Sequence, residues 1–214
     1  MQNIAPDLWV TETQNPAPGL TTRAYLWTRP EGNVLFYNTT IESEFDRMAE
    51  LGGVADQYLS HQDEITSTLA TMKDRFGTRL HIHESEASLV TATTVDDPFK
   101  ERHTAFEGLE VIPAPGHTPG SSVYLATIAD RRYLFTGDTI IRGEDGQWWA
   151  GYLPEFSDRD ALAATLDTLA ELSPEVIVSS AFMGDSGVTE LGERPWADAV
   201  AEARTALLDG RSIV

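Results

Sequence analysis

Three short polar loops contain most of the residues that could carry out chemistry. They are "SHQDE" (60–64), "PAPGHTPGSS" (113–122) and "FTGDT" (135–139), and each follows an apolar run that predicts a β-strand. Pro and Gly residues on both sides of His117 restrict the backbone, which would hold its imidazole in one place. Gly137 lets the chain turn so that Asp138 projects from its strand end. A carboxylate and two imidazoles from separate strand ends can therefore converge on one cation.

The composition limits what such a site could use and bind. Because the chain has no Cys, disulfides and thiolate nucleophiles are excluded, and any metal must be held by His and carboxylates. An excess of 34 acidic over 15 basic residues makes this an acidic protein of formal charge -19, which argues against a nucleic acid partner. A small-molecule substrate is the expected partner, and both a monomer and a homo-oligomer are compatible with the sequence.

Length and hydropathy favour a single domain that is not associated with a membrane. The 214 residues suffice for one core and show no compositional break, so we expect one domain over residues 1–214. No apolar run is long enough to cross a bilayer, and "MQNIAPDLWV" lacks the basic start of an export signal. We therefore expect a cytoplasmic protein.

The elements that must position the three loops follow from hydrophobic periodicity and from Pro and Gly punctuation. The first half predicts strands at 7–10, 23–28, 33–38, 54–60 and 78–83, with helices at 41–51 and 64–77. The second half predicts strands at 108–114, 121–128, 131–137 and 175–180, with helices at 158–172 and 195–208. Residues 84–107 are weakly patterned and are left without a prediction. The pattern indicates an α/β protein made of two sheet-and-helix halves.

Two of the motifs carry a resemblance to a known family. "APGHTPGSSVYLA" and "YLFTGDTII", together with the order of the elements, closely resemble the metallo-β-lactamase superfamily over nearly the whole chain. The resemblance implies a four-layer αββα sandwich with a metal site at one sheet edge. Most members of that superfamily are hydrolases, such as glyoxalase II-like thioesterases, lactonases and phosphodiesterases, and a minority are iron or flavo-di-iron oxidoreductases.

The departures from the family pattern concern its metal loop. Where the family has His-x-His-x-Asp-His, this chain has "HQDEIT", which can be aligned with His61 as either the first or the second His of the motif. In the second alignment Asp63 matches the motif Asp, and Glu64 replaces the last His. Both alignments keep His61 and Asp63 near the metal. A later family His should fall within "IVSSAFMG" (177–184), where Ser180 or Ala181 takes its place.

The resemblance therefore implies a reduced site with one divalent metal ion, either zinc or iron. Its ligands would be His61, Asp63, His117 and Asp138, and Asp63 or Glu64 would be available as a catalytic base.

Three functions remain open at this point. One is a mononuclear hydrolase of a small ester, thioester or lactone, and another is a mononuclear iron oxidoreductase of the persulfide dioxygenase type. The third is a metal-free relic that acts as a binding protein. The aromatic segment "GQWWAGYLPEF" (146–156) would either wall the substrate pocket or close the sheet edge.

Overall fold

The computed structural model of the chain describes residues 1–17, 19–184 and 186–211. The helices are α1 (Ser43–Glu50), α2 (Thr68–Phe76), α3 (Glu84–Ala87), α4 (Arg159–Leu169) and α5 (Trp196–Leu208), with a 3-10 turn at Gln62–Glu64. The strands of the first half are β1 (Gln2–Ala5), β2 (Leu8–Val10), β3 (Gln14–Ala17), β4 (Leu20–Thr22), β5 (Tyr25–Trp27), β6 (Val34–Phe36), β7 (Asp56–Tyr58), β8 (Arg79–His83) and β9 (Asp97–Phe99). Those of the second half are β10 (His103–Phe106), β11 (Leu109–Pro113), β12 (Ser122–Ile128), β13 (Arg131–Gly137), β14 (Ile140–Arg142), β15 (Trp148–Ala150), β16 (Val176–Ser179), β17 (Ala181–Phe182) and β18 (Val188–Glu190).

Two large mixed sheets form the centre of the molecule. In the described residues, one has the order β1-β2-β5-β6-β7-β8-β9 and the other the order β10-β11-β12-β13-β16-β18. The β6–β7 and β7–β8 pairs are parallel, as is the β13–β16 pair. Two small sheets accompany them, one formed by β14 and β15 and the other by β17, β4 and β3.

Alternating side chains divide each sheet into an inner and an outer face. Val111, Tyr124 and Phe135 share one buried cluster with Phe36 of the opposite sheet, and the rings of Phe36 and Phe135 stack at 3.8 Å between centroids. The residues between them on the same strands, among them Leu134, pack instead with α4 and α5. This period of two places sheet against sheet and helices outside, so the predicted four-layer αββα sandwich is confirmed.

Several element boundaries differ from the prediction because local hydrogen bonds override periodicity. The helix predicted at 64–77 begins at Thr68, since the preceding residues form the 3-10 turn Gln62–Glu64. The Pro- and Gly-rich segment near residue 16 is not a simple connection but contributes β3 and β4, which pair with each other, and β4 also pairs with β17. The unassigned residues 84–107 contain α3, β9 and β10. No helix in the described ranges is long and apolar enough to cross a membrane.

Candidate metal centre

The three polar loops meet at one edge of the sandwich. In the described residues, His61, His117 and Asp138 each offer one ligand atom, and these atoms all lie within 4.8 Å of one another. His61 follows β7, His117 lies in the loop after β11, and Asp138 directly follows β13. The two imidazole rings are 4.9 Å apart between centroids and nearly perpendicular. The predicted convergence of two imidazoles and one carboxylate is therefore what the fold produces.

The loop around His117 fixes both the position of the ring and its tautomer. Gly116 has a φ of +136°, and a Cβ there would lie 2.4 Å from the backbone of Leu162, so α4 packs directly against this loop. His117 Nδ1 lies 2.7 Å from the carbonyl oxygen of Gly151. Because a carbonyl oxygen can only accept a hydrogen bond, Nδ1 carries the proton and the lone pair of the neutral ring is on Nε2. His117 therefore presents the atom that a metal would need.

His61 is oriented by a relay through Ser60 to Glu64. The Ser60 hydroxyl donates to Glu64 Oε1 at 2.5 Å and lies 2.9 Å from His61 Nδ1. Since the single hydroxyl proton is directed to Glu64, Ser60 Oγ accepts from Nδ1, and in the neutral ring the lone pair is again on Nε2. The same Glu64 carboxylate accepts the backbone N–H of Ser60 at 2.7 Å, which closes the loop on itself. The side chain of Glu64 is 9% exposed, so this contact is shielded from water.

Asp138 completes the group from the neighbouring strand end. Its Oδ1 accepts hydrogen bonds from the Ser180 hydroxyl and, at 3.2 Å, from the backbone N–H of Ala181. Its Oδ2 lies 3.7 Å from His61 Nε2. Burial raises the pKa of the Asp138 carboxyl, but the charges of His61 and His117 and these hydrogen bonds outweigh burial and hold the pKa below its ordinary value. Asp138 is therefore present as a carboxylate, with Oδ2 free of these two contacts.

The side chains of His61, His117 and Asp138 are arranged to bind a cation rather than to hydrogen-bond with one another. The Nε2 atoms of His61 and His117 are both buried, and neither has a hydrogen-bond partner in the described residues. Buried polar atoms without a partner are rare because each costs free energy, so such atoms indicate a missing group. Burial lowers the pKa of His61, yet the negative charges of Asp138, Glu64 and Asp63 raise it to about 9. The surroundings of His61 thus favour positive charge, which a divalent cation would supply.

We expect Ser180→Ala to weaken metal binding without unfolding the protein. Loss of the hydroxyl would leave Asp138 less firmly oriented, and partners of this kind are worth about 10- to 100-fold in metal affinity. Calorimetric titration of metal-free protein with Zn²⁺ measures the change. Ser179→Ala is the matched control, because the Ser179 hydroxyl contacts Thr136 at 3.2 Å rather than Asp138. Equal affinities in the two variants would show that Ser180 has no such role.

The two predicted catalytic acids occupy different positions. Asp63 Oδ2 lies 3.7 Å from His61 Nε2, and the side chain is 61% exposed. Glu64 is directed to Ser60 and to Nδ1 of His61, which is the side of the ring away from Nε2. Neither acid belongs to the group of three that share one ligand position. Metal ligation by Asp63 and catalysis by either acid stay predictions.

A cavity of about 490 Å³ opens onto His61 and Asp138 of this group. It is lined by residues of the β3–β4 hairpin and by His61, Asp63, Asp138 and Ser180. The aromatic side chains of residues 146–156 are not among its lining residues in the described chain; Trp148 instead packs in the core against Trp196, with ring centroids 5.6 Å apart. Of the two predictions for that segment, the structure favours closing the sheet edge.

Gly151 contacts two residues of the site and was not predicted from the sequence. Besides accepting the hydrogen bond from His117, it approaches Asp138 so closely that a Cβ would lie 1.7 Å from the Asp138 carbonyl oxygen. The only sequence signal was a glycine directly after a strand-like "WWA" run. A lone glycine at such a place is common, and the contact depends on β14 and β15 folding back over the site.

His81 lies outside the site and has a structural partner. Its Nε2 lies 2.7 Å from Asp56 Oδ1, and its ring stacks on Tyr58 at 4.1 Å between centroids. Burial raises the pKa of the Asp56 carboxyl, but hydrogen bonds from His81 and Arg79 outweigh this and lower it.

We expect Asp56 to make the folded state sensitive to acid. Because its pKa is lower in the folded state, its stabilising contribution is complete above the unfolded pKa and is lost as the pH falls through the folded one. Asp56→Asn should cost about 1–3 kcal/mol at neutral pH and less at acidic pH. Urea unfolding at both pH values measures this, and a cost that does not change with pH would contradict the assignment.

Comparisons with known proteins agree with the fold and the loops. The sequence model of the Metallo-beta-lactamase superfamily matches residues 66–181, which is more than half of the chain and includes His117 and Asp138 but not His61. A search of curated proteins found no match.

The two solved structures compared with this chain are distant from it in sequence. A metallo-β-lactamase from Pontibacter korlensis superposes with a TM-score of 0.74 at 16% identity, covering 97% of this chain and 98% of that one. One from Cronobacter sakazakii (Enterobacter sakazakii), described by a HARLDQ motif, gives 0.62 at 16% identity, covering 94% of this chain and 97% of that one. The two superpositions support the αββα architecture, and the match to the family's sequence model shows that the chain is related to the family in sequence as well. The chain belongs to the metallo-β-lactamase superfamily.

Proposed function

We propose that the protein is a mononuclear metal-dependent hydrolase of a small ester, thioester or lactone. The proposal rests on two imidazole nitrogens of the candidate metal centre. In the part of the chain that the structure describes, the buried Nε2 atoms of His61 and His117 have no hydrogen-bond partner. The ligand atoms of these two side chains and Asp138 lie within 4.8 Å of one another, and His61 and Asp138 line a cavity that a small molecule could enter. A structural histidine pair would be expected to use these nitrogens in hydrogen bonds within the protein.

The neighbouring side chains support one metal ion rather than two. Ser180, one of the two residues (with Ala181) that the family resemblance places where a further His would stand, donates to Asp138. Glu64, which in one alignment replaces another family His, is committed to Ser60. In the described residues, the His61, His117 and Asp138 group is the one arrangement of this type. The residues that a second ion would need are therefore employed in holding the first site together.

The chemistry follows from the donor set and from Asp63. A zinc ion bound by these side chains would polarise a carbonyl and lower the pKa of a bound water to about 7. Asp63, exposed and 3.7 Å from His61 Nε2, is placed to accept a proton from a water at the mouth of the site. The hydrogen bonds from Nδ1 of His61 and His117 keep both rings oriented during this transfer.

An iron oxidoreductase of the persulfide dioxygenase type is the second candidate. Two His and one carboxylate form the set that suits non-haem Fe(II), and these are the three residues that the fold brings together. The exposed carboxylate of Asp63 beside the site favours hydrolysis, because a base is what hydrolysis requires.

Anaerobic purification followed by parallel assays separates these functions. We expect hydrolysis of at least one of a panel of esters, thioesters and lactones by zinc-loaded protein, and no oxygen uptake with a persulfide by iron-loaded protein. Oxygen uptake without hydrolysis would replace the proposal with the iron candidate. Absence of both activities, with no stoichiometric metal, would support the metal-free binding protein instead.

A further inference from the structure

Arg23 lies in the same cavity as the candidate metal ligands. It directly follows β4, and its backbone N–H donates to the carbonyl oxygen of Ser180 at 3.1 Å. Ser180 in turn holds Asp138 through its hydroxyl. The backbone of Arg23 is therefore tied to the strand end that carries the site, and its side chain contributes to the cavity wall with His61, Asp63 and Asp138.

The guanidinium of Arg23 has no ion-pair partner among the residues that the structure describes. Its Nε is buried and has no hydrogen-bond partner in the described residues. Its Cζ lies 5.7 Å from the centroid of the Phe182 ring, which supports the group from one side. No carboxylate of the described chain forms an ion pair with it, although this chain has 34 acidic residues. By contrast Arg131, on the surface, pairs with Glu190 at 2.5 Å.

The cavity has one basic side chain on its wall and a group of acidic side chains near His61. Among the described lining residues, Arg23 is the only Arg or Lys, whereas Asp63, Glu64 and Asp138 supply negative charge beside His61. A cation bound at the His and Asp group would offset those carboxylates. Arg23 would then be the group left to attract an anion from solution.

We infer that Arg23 binds a carboxylate of the substrate, so that the substrate is a small ester, thioester or lactone carrying a carboxylate group. A planar guanidinium can donate two parallel hydrogen bonds to a carboxylate. A single guanidinium among three acidic side chains suits one negative charge better than the two of a phosphate monoester. The inference rests on the proposed function for the hydrolysed bond, while the carboxylate contact can be measured without catalysis.

Matched esters test the contribution of Arg23 to turnover. We expect zinc-loaded wild type to prefer mono-para-nitrophenyl glutarate, which has a free carboxylate, over neutral para-nitrophenyl valerate of equal chain length. In Arg23→Met, kcat/KM for the glutarate ester should fall by about 10- to 100-fold, as expected for lost charge-assisted hydrogen bonds, and that for the valerate ester should change less than about twofold. Arg23→Lys should keep part of the preference.

Arg132→Met is the matched control, because it removes the same charge from a residue outside the cavity. Circular dichroism and thermal melting confirm that the variants are folded. An unchanged preference in Arg23→Met, with both esters hydrolysed, would overturn the inference and leave the proposed function intact.

A binding measurement decides the case in which neither ester is hydrolysed. Calorimetry on zinc-loaded protein compares glutaramate with neutral valeramide. We expect glutaramate to bind wild type and Arg132→Met alike and Arg23→Met at least tenfold more weakly. Equal binding to wild type and Arg23→Met, or tighter binding of a phosphonate analogue than of glutaramate, would overturn the inference. Lack of hydrolysis alone would remove only the proposed function.

Discussion

Replacing His117 with Ala is expected to remove the bound metal ion and hydrolysis together. In the proposed site His117 would supply one of two Nε2 ligands, and because it is buried, no water or neighbouring side chain could substitute for it easily. Outer partners of metal ligands are worth about 10- to 100-fold, and loss of a ligand should exceed that range. The metal content of purified protein and kcat/KM for the best ester of the panel are the two measurements.

The variant loses the hydrogen bond from Nδ1 to the Gly151 carbonyl, which should cost about 1–3 kcal/mol, and we expect it to remain folded. His103→Ala is the matched control. His103 is exposed, and its Nδ1 lies 2.8 Å from the carbonyl oxygen of Glu101, away from the site. If His117→Ala kept its metal and its activity while remaining folded, His117 would not be a ligand and the proposed function would lose its basis.

Gly151→Ala is expected to damage the site through the backbone alone. A Cβ at Gly151 would lie 1.7 Å from the Asp138 carbonyl oxygen and 3.3 Å from His117 Nδ1. The strand β15 must therefore move away, which breaks the hydrogen bond from His117 to the Gly151 carbonyl. We expect a loss of about 1–3 kcal/mol in the free energy of unfolding and a large loss of metal affinity.

The control for this variant separates steric clash from general loss of a glycine. Gly192 has a φ of +58°, and among the described residues no heavy atom beyond those of its chain neighbours lies within 4 Å of the place that a Cβ would occupy. Gly192→Ala should therefore cost about 1 kcal/mol through backbone strain and leave metal affinity unchanged. Urea unfolding and calorimetric metal titration of both variants give the comparison. Normal metal affinity in Gly151→Ala would show that the Gly151 carbonyl does not orient His117.

The parts of the fold that follow a simple period could be predicted from sequence. The alternation of residues such as Val111 and Ile112 indicates a strand buried on both faces, and the fold uses both faces. The positions of His61, His117 and Asp138 at strand ends predicted their convergence, because the ends of neighbouring strands meet at one edge of a sandwich.

Other features depend on contacts between distant segments and left no local pattern. Glu64 turns inward to accept hydrogen bonds from Ser60, so the predicted helix begins later than residue 64. The sequence could not show this, because "HQDEIT" fits either alignment to the family motif. Arg23 reads as the polar start of a strand until β17 is seen to pair with β4 beside it. The role of Gly151 likewise requires that β15 lie against Asp138.

Above all, we expect His61, His117 and Asp138 to hold one metal ion together. Calorimetric titration of metal-free wild type and His61→Ala with Zn²⁺ tests it most directly, with the folded state of both proteins checked by circular dichroism. We expect one ion per wild-type chain and none in the variant. Two ions per chain, no binding by wild type, or unchanged binding by the His61→Ala variant would contradict it.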